Sequence, residues 1–116
     1  MHKMKLYNAP YRRIETGEKT IELRLYDEKR RKVKQGDKIT FTNIDTGEQL
    51  VIKCKALYRA KSFYELFCVL KNNEKMGFKH NQSPDEMSNQ MREYYSIENE
   101  KEYGVVGIEI EIVINS

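Results

Sequence analysis

The sequence predicts an α+β fold in which mostly antiparallel strands close into a small barrel flanked by helices. Strand patterns come first, two segments with helix-capping patterns follow, and a long alternating strand returns at the end of the chain. The turn Asp45-Thr46-Gly47 joins two of the strands as antiparallel neighbours. Because no linker, internal repeat or composition break divides the chain, we expect residues 1–116 to form one domain.

The first two elements are predicted to be a short strand and a brief helix. Alternation from Lys3 to Tyr7 indicates the strand. Asn8-Ala9-Pro10 then opens the helix, since proline is favoured in the first helical turn, and Gly17 closes it.

Lys19 to Tyr26 is predicted to be the second strand, because apolar and polar residues alternate along it with a period of two. The apolar positions are Ile21, Leu23 and Leu25, and the alternate positions are Thr20, Glu22, Arg24 and Tyr26. One face of this strand is therefore expected to pack on a core while the other carries charged groups.

The third and fourth strands are predicted to form a hairpin. Gly36-Asp37 turns into a strand around Ile39, Phe41 and Ile44, and the turn described above leads into a strand from Leu50 to Tyr58.

The second half of the chain is predicted to contain two helices and a closing strand. Capping boxes begin the helices at Ser62 and Ser83, and residues 72–82 form a polar connection between them. The side chains expected to face inward are Phe63, Leu66, Phe67 and Leu70 in the first helix and Met87, Met91 and Tyr94 in the second. The strand from Tyr103 to Ile114 alternates through Val106, Ile108, Ile110 and Ile112.

The cysteine content argues against several classes of protein. Cys54 and Cys68 are the only cysteines and lack CxxC spacing, so neither a disulfide framework nor a structural zinc is expected, and both are predicted to pack as small apolar groups. No apolar segment resembles a signal peptide or a transmembrane span. We expect a reduced, cytoplasmic protein with no membrane association, metal or cofactor.

Charge is distributed unevenly along the chain. The net charge of +3 combines a net charge of +8 in residues 1–61 with a net charge of −5 in residues 62–116. This asymmetry is consistent with a face that attracts anions and equally with an ordinary solvated surface.

The pair Glu22 and Arg24 is the main candidate for a functional site. Residues two apart on a strand project from the same face about 6.6–6.8 Å apart, so these side chains can pair with each other or hold one polar ligand. Lys19 has the opposite parity and can join them only if it lies in the turn after Gly17. A solvated surface ion pair is the alternative interpretation.

Four segments together resemble the ASCH domain family of the PUA-like superfamily over nearly the whole chain. They are Lys3-Met4-Lys5-Leu6, Gly17-x-Lys19-x-x-Glu22-x-Arg24, Lys32-x-x-x-Gly36-Asp37-x-Ile39-x-Phe41 and Tyr103-Gly104-Val105-Val106-Gly107-Ile108-Glu109. The resemblance implies a PUA-like β-barrel with flanking helices, a cleft lined by Lys19, Glu22 and Arg24, and binding of RNA, a nucleotide or a modified nucleoside.

Under that resemblance each candidate residue has an expected role. Lys19 and Arg24 would donate to a phosphate or a base carbonyl, and Glu22 would accept from a base amino group or hold Arg24 in position. In the basic run at residues 29–34, Arg30 and Arg31 would contact phosphates, although a solvated loop is an equal alternative. The candidates for stacking a base are Tyr7, Tyr26, Tyr58 and Tyr103. Only one or two are expected to act in this way, and Tyr26 and Tyr103 are the two selected. The oligomeric state stays open.

An enzymatic alternative follows from the same resemblance. One branch of the family hydrolyses N4-acetylcytidine with a lysine, a threonine nucleophile, an arginine and a downstream glutamate. Lys19 and Arg24 match, but Glu22 replaces the threonine, Thr20 has the wrong spacing, and the acids Asp85 and Glu86 belong to a helix start. Catalysis would require Lys19 and Glu22 to activate a water molecule.

Overall fold

The computed structural model of the protein describes residues 1–113, so the predicted strand end at Ile114 lies outside the described residues. The strands are β1 (His2–Leu6), β2 (Ile21–Leu25), β3 (Lys38–Asn43), β4 (Gln49–Ala60) and β5 (Val105–Ile112). The helices are α1 (Asn8–Glu15), α2 (Glu28–Arg31), α3 (Phe63–Val69), α4 (Pro84–Gln90) and α5 (Ile97–Tyr103), with 3₁₀ turns at Glu74–Met76 and Met91–Glu93. This succession confirms the predicted α+β class.

The five strands form one curled sheet, a half-barrel with the order β1-β3-β4-β5-β2. β1 and β3 are parallel, and the other three pairs are antiparallel. β1 and β2 are therefore the two free edges. Arg24 of β2 donates to the carbonyl of Lys5 in β1 over 2.8 Å, so the curl brings these edges together. We call the region where they approach each other the seam.

Two cores occupy the two faces of the sheet. One core includes Val106 and Ile108, which lie opposite Arg24 and Glu22 in the antiparallel register, and it fills the inside of the curl. The other core lies under α3 and α4 and includes Ile21, Leu23 and Leu25. The predicted alternation of β2 is thus confirmed, with its apolar residues facing the helices and its charged residues facing the inside of the curl.

The helical half contains an element that the sequence analysis missed. α5 begins at Ser96, whose hydroxyl accepts from the Asn99 N–H, and it ends at Gly104, where φ is +72°. The closing strand therefore starts at Val105, and the predicted start at Tyr103 was wrong.

Three smaller predictions were also wrong. Tyr94 is 61% exposed, because α4 ends at Gln90 and a 3₁₀ turn then changes the phase of the helical pattern. Cys68 lies on the exposed side of α3 next to exposed Val69, although Cys54 is buried as expected. Ile44 follows β3 in an exposed turn. The predicted polar connection at residues 72–82 contains a 3₁₀ turn that buries Met76.

Capping explains where α3 and α4 begin. The hydroxyls of Ser62 and Ser83 accept from the N–H groups of Glu65 and Glu86, respectively. The Glu86 carboxylate in turn accepts from the Ser83 N–H. Both predicted helix starts are confirmed. No helix within residues 1–113 has the length and apolar character needed to cross a membrane.

Candidate functional site

Lys19, Glu22 and Arg24 form one ion-paired cluster, which we call the triad. Lys19 Nζ lies 3.1 Å from Glu22 Oε1, and Arg24 Nη2 lies 3.2 Å from Glu22 Oε2. Glu22 is only 4% exposed, and the two cationic side chains are also largely buried. The triad is therefore not the solvated surface pair that was the alternative interpretation.

The loop before β2 brings Lys19 into the triad. The Lys19 N–H donates to the Arg13 carbonyl and the Thr20 N–H to the Lys75 carbonyl, so the chain is held on both sides before strand alternation begins at Ile21. The lysine side chain passes close to Gly77, where a Cβ atom would lie 3.5 Å from its Cδ. Lys19 thus joins the triad despite its parity, as the turn after Gly17 permits.

The charge state of Glu22 follows from its partners. Burial raises the pKa of the carboxyl group, but Lys19 and Arg24 outweigh burial through charge and hydrogen bonds, and the net pKa is lowered. Glu22 is therefore an ionised acceptor held between two donors. The triad carries one excess positive charge.

The triad also satisfies the free sheet edges at the seam. Glu22 Oε1 accepts from the Leu23 N–H on the edge of β2, at 3.1 Å. Arg24 donates across the seam to Lys5 on the edge of β1. In a closed barrel, backbone hydrogen bonds would join β1 to β2, whereas here the side chains of Glu22 and Arg24 bond to these edges. A polar ligand that displaced these side chains would meet backbone groups without partners on the strand edges.

The two predicted phosphate contacts, Arg30 and Arg31, both interact with other residues of the protein. Asp27 caps α2 and pairs with Arg30 Nη1 at 3.1 Å, and the Arg30 Nε is buried with no protein partner within residues 1–113. The Arg31 guanidinium lies 4.4 Å from the centroid of the Tyr26 ring and donates to the Tyr103 carbonyl.

The predicted stacking residue Tyr26 is thereby covered. Besides Arg31, the side chain of Arg59 approaches its ring and donates to its hydroxyl over 3.2 Å. Tyr103 is half-buried against the core under the helices. Neither tyrosine ring is therefore fully exposed for a base to stack on it.

Lys29 and Lys32 are the exposed lysines of α2 and its C-cap, which the sequence analysis included only as part of the basic run. Neither forms an ion pair within the described part of the chain. Burial, followed by the charges of Arg30 and Arg24, lowers the pKa of Lys29, which places it near the triad.

Beside these lysines lies a depression of about 520 Å³, lined by His2, Asp27, Glu28, Lys29, Lys32 and Tyr103. The triad does not line this depression, and its three charged side chains are paired with one another. The cleft around the triad stays a prediction.

Tyr95 is an aromatic residue of the core under the helices that no sequence pattern marked. Its half-buried ring stacks on Phe63, with the centroids 5.6 Å apart. Burial is the main cause that raises the pKa of Tyr95, and the charges of Arg24 and Glu22 also act on it. Tyr95 follows a 3₁₀ turn, so no helical or strand period marks it in the sequence.

The acids considered for the enzymatic alternative lie away from the triad's ion pairs. Asp85 and Glu86 occupy the first turn of α4, as predicted. Glu74 is the acid within the connection itself, which the sequence analysis overlooked, but it is 72% exposed and its carboxylate faces His80 at 3.9 Å. Residues 1–113 contain no cluster of three or more potential metal ligands.

Comparison with known proteins agrees with this architecture. The ASCH domain family model matches residues 4–114. The crystal structure of hypothetical protein PH0355 is 38% identical, covers 96% of this chain and 97% of its own, and superposes with a TM-score of 0.81. The solution structure of protein PF0455 from Pyrococcus furiosus is also 38% identical, with coverages of 97% and 96% and a TM-score of 0.73. The comparison with curated proteins gives no match.

Proposed function

This chain belongs to the ASCH domain family, which is associated in general with nucleic-acid binding, and its fold is consistent with the PUA-like class. From that premise we propose that the protein binds RNA, or a nucleotide or modified nucleoside, through Lys19, Glu22 and Arg24.

One observation carries the proposal: an ionised, buried carboxylate is held between two cations at the seam. Glu22 presents acceptor oxygens that suit a base amino group, while Lys19 and Arg24 present donors that suit a base carbonyl or a phosphate. Donors and an acceptor side by side match the edge of a nucleobase better than they match a purely anionic ligand. Burial strengthens such contacts because water competes less for them.

The surroundings favour a nucleic-acid ligand over an uncharged one. Lys29 and Lys32 lie on α2 and at its C-cap, shortly after β2 in the chain, and have no anionic partners in the described chain; residues 1–61 carry a net charge of +8. Positive charge in this part of the protein attracts the phosphate backbone and raises the association rate.

The test is the affinity of the purified protein for fluorescent single-stranded RNAs of different base composition, measured by anisotropy at low salt. Wild-type protein should bind with a base preference, and Arg24→Lys should reduce that preference about tenfold, because lysine lacks the planar fork of arginine. Arg12→Lys on α1 is the matched control, since Arg12 pairs with Glu15 and Glu48 outside the seam. No association of wild-type protein with any RNA would refute the proposal.

A second assay, cytidine release from N4-acetylcytidine, separates binding from the hydrolytic alternative. An acyl-enzyme mechanism needs a hydroxyl nucleophile, and the ionised Glu22 would repel a developing oxyanion unless Lys19 or Arg24 compensated for it. We therefore expect negligible cytidine release from N4-acetylcytidine. Robust release that disappears in Glu22→Ala would instead establish a water-based hydrolase that uses Glu22 as general base.

A further inference from the structure

We infer that the protein has a second subsite beside the triad, which takes the next nucleotide of a single strand, with its base on the guanidinium of Arg31 and its phosphate between Lys29 and Lys32. This inference rests on the proposed function and specifies its ligand class. The preferred ligand is then an RNA strand and not a lone nucleoside.

Arg31 is pre-organised as a stacking platform. Its guanidinium lies 4.4 Å from the centre of the Tyr26 ring, and its Nη2 donates to the Tyr103 carbonyl over 3.1 Å. Stacking on one side and a hydrogen bond at the edge fix the plane of the group, while Arg31 as a whole is exposed. Guanidinium planes stack on nucleobases as aromatic rings do, so the outer face of Arg31 suits a base.

The lysines supply the phosphate contacts. Lys29 and Lys32 flank Arg31 in sequence and both line the 520 Å³ depression, as does Tyr103. Two carboxylates also line it, but Asp27 is already neutralised by Arg30 at 3.1 Å. His2 is likewise paired with Asp37 at 2.8 Å, which leaves Glu28 alone against the two lysines. A singly charged phosphodiester therefore meets a cationic surface.

The two subsites are close enough to hold neighbouring nucleotides. Asp27, which lines the depression, follows Arg24 by three residues, and at about 3.3 Å per residue the chain can separate their Cα atoms by only about 10 Å. The charges of Arg24 and Lys5 at the seam also act on Lys29. A strand whose base enters the seam can therefore continue directly over α2.

The experiment compares mononucleotides with trinucleotides by calorimetric titration, using both the cytidylate and the adenylate series. Wild-type protein should bind the better trinucleotide about tenfold more tightly than its mononucleotide, the gain expected when one of its two further nucleotides stacks on Arg31 and places its phosphate between the lysines. In the double variant Lys29→Ala, Lys32→Ala, which keeps Arg31 but removes the phosphate contacts, this ratio should fall to about three. Lys53→Ala, an exposed lysine of β4, should leave the ratio unchanged and serves as the matched control.

Arg31→Lys separates stacking from charge. It should weaken binding of the trinucleotide about fivefold, and the loss should be absent when the second unit of the ligand lacks a base. Equal affinity of wild-type protein for mononucleotide and trinucleotide would show that the second subsite is wrong while the proposed function stands. If neither ligand binds, the proposed function fails and this inference fails with it.

Discussion

Glu22 shows how one lysine and one arginine together stabilise a buried negative charge. An isolated carboxylate in the interior would take up a proton, whereas Lys19 at 3.1 Å and Arg24 at 3.2 Å hold it ionised. Each of the three charges depends on the other two, because all of them are largely removed from water. Loss of one member therefore leaves uncompensated charge inside the protein.

Replacement of Glu22 by glutamine should lower the free energy of unfolding by about 3 kcal/mol at neutral pH, because the two cations lose their buried partner. The folded-state pKa of Glu22 is lowered, so its stabilising contribution is present above the ordinary pKa of 4.5 and is lost as the pH falls through the folded value. The difference between wild type and variant should therefore shrink in acid.

Urea unfolding at about pH 7 and at about pH 3.5 measures this difference. Glu102→Gln, an exposed glutamate of α5, is the control and should change stability by less than about 0.5 kcal/mol at either pH. A constant difference between wild type and Glu22→Gln across the pH range would contradict an ionised Glu22.

Among the secondary-structure elements, the end of α5 holds β2 and α2 in place. Gly104 ends α5, its carbonyl accepts from the Tyr26 N–H, and the neighbouring Tyr103 carbonyl accepts from Arg31. The end of α5 thus anchors both β2 and α2. The positions of the triad and of the exposed lysines depend on this junction, although it contributes no side chain to the triad.

Gly104→Ala should lower the free energy of unfolding by about 2 kcal/mol, because φ is +72° and a Cβ atom would lie 3.1 Å from the Ala60 carbonyl oxygen. Gly36→Ala is the matched control: its φ is +92°, but no atom lies within 4 Å of the added Cβ, so a loss of about 1 kcal/mol is expected. Equal losses in thermal or urea unfolding would show that the contact with Ala60 contributes nothing.

In the folded molecule, the basic and the acidic parts of the sequence contribute different elements. The strongly basic part, residues 1–61, contributes β1, β2 and α2, which surround the seam, whereas the acidic part supplies α3, α4 and α5. A polyanion approaching the protein is therefore expected to be drawn toward the seam and not toward the helical layer.

Affinity for single-stranded RNA should fall as salt concentration rises, with each phosphate contact adding about 0.7 to the slope of log affinity against log salt. The charge-reversing pair Lys29→Glu, Lys32→Glu should therefore lower the slope by about 1.4 and weaken binding across all sequences. Lys71→Glu with Lys101→Glu changes the net charge equally but lies in the acidic half. If both pairs weaken binding alike, net charge and not the local surface governs association.

Local patterns in the sequence were sufficient for much of the fold. The alternation of Ile21, Leu23 and Leu25, and the capping boxes at Ser62 and Ser83, depend on neighbours within a few residues, so they could be identified without tertiary contacts. The same alternation placed Glu22 and Arg24 on one face. Alternation alone left open whether that face meets solvent or the inside of a curled sheet.

Which other groups meet Glu22 and Arg24 on their strand face depends on the tertiary structure. The Lys5 carbonyl reaches Arg24 only because the sheet curls until its two edges meet, and Lys19 enters through a loop held by Arg13 and Lys75. Likewise Tyr26 lies under Arg31 in the folded chain, and Tyr95 stacks on Phe63 from just after a 3₁₀ turn much later in the chain. The sequence alone was sufficient to predict which strand faces are apolar and where α1, α3 and α4 begin, because short-range periodicity and capping govern both. The make-up of the candidate site depended on packing between distant segments, which no local pattern encodes.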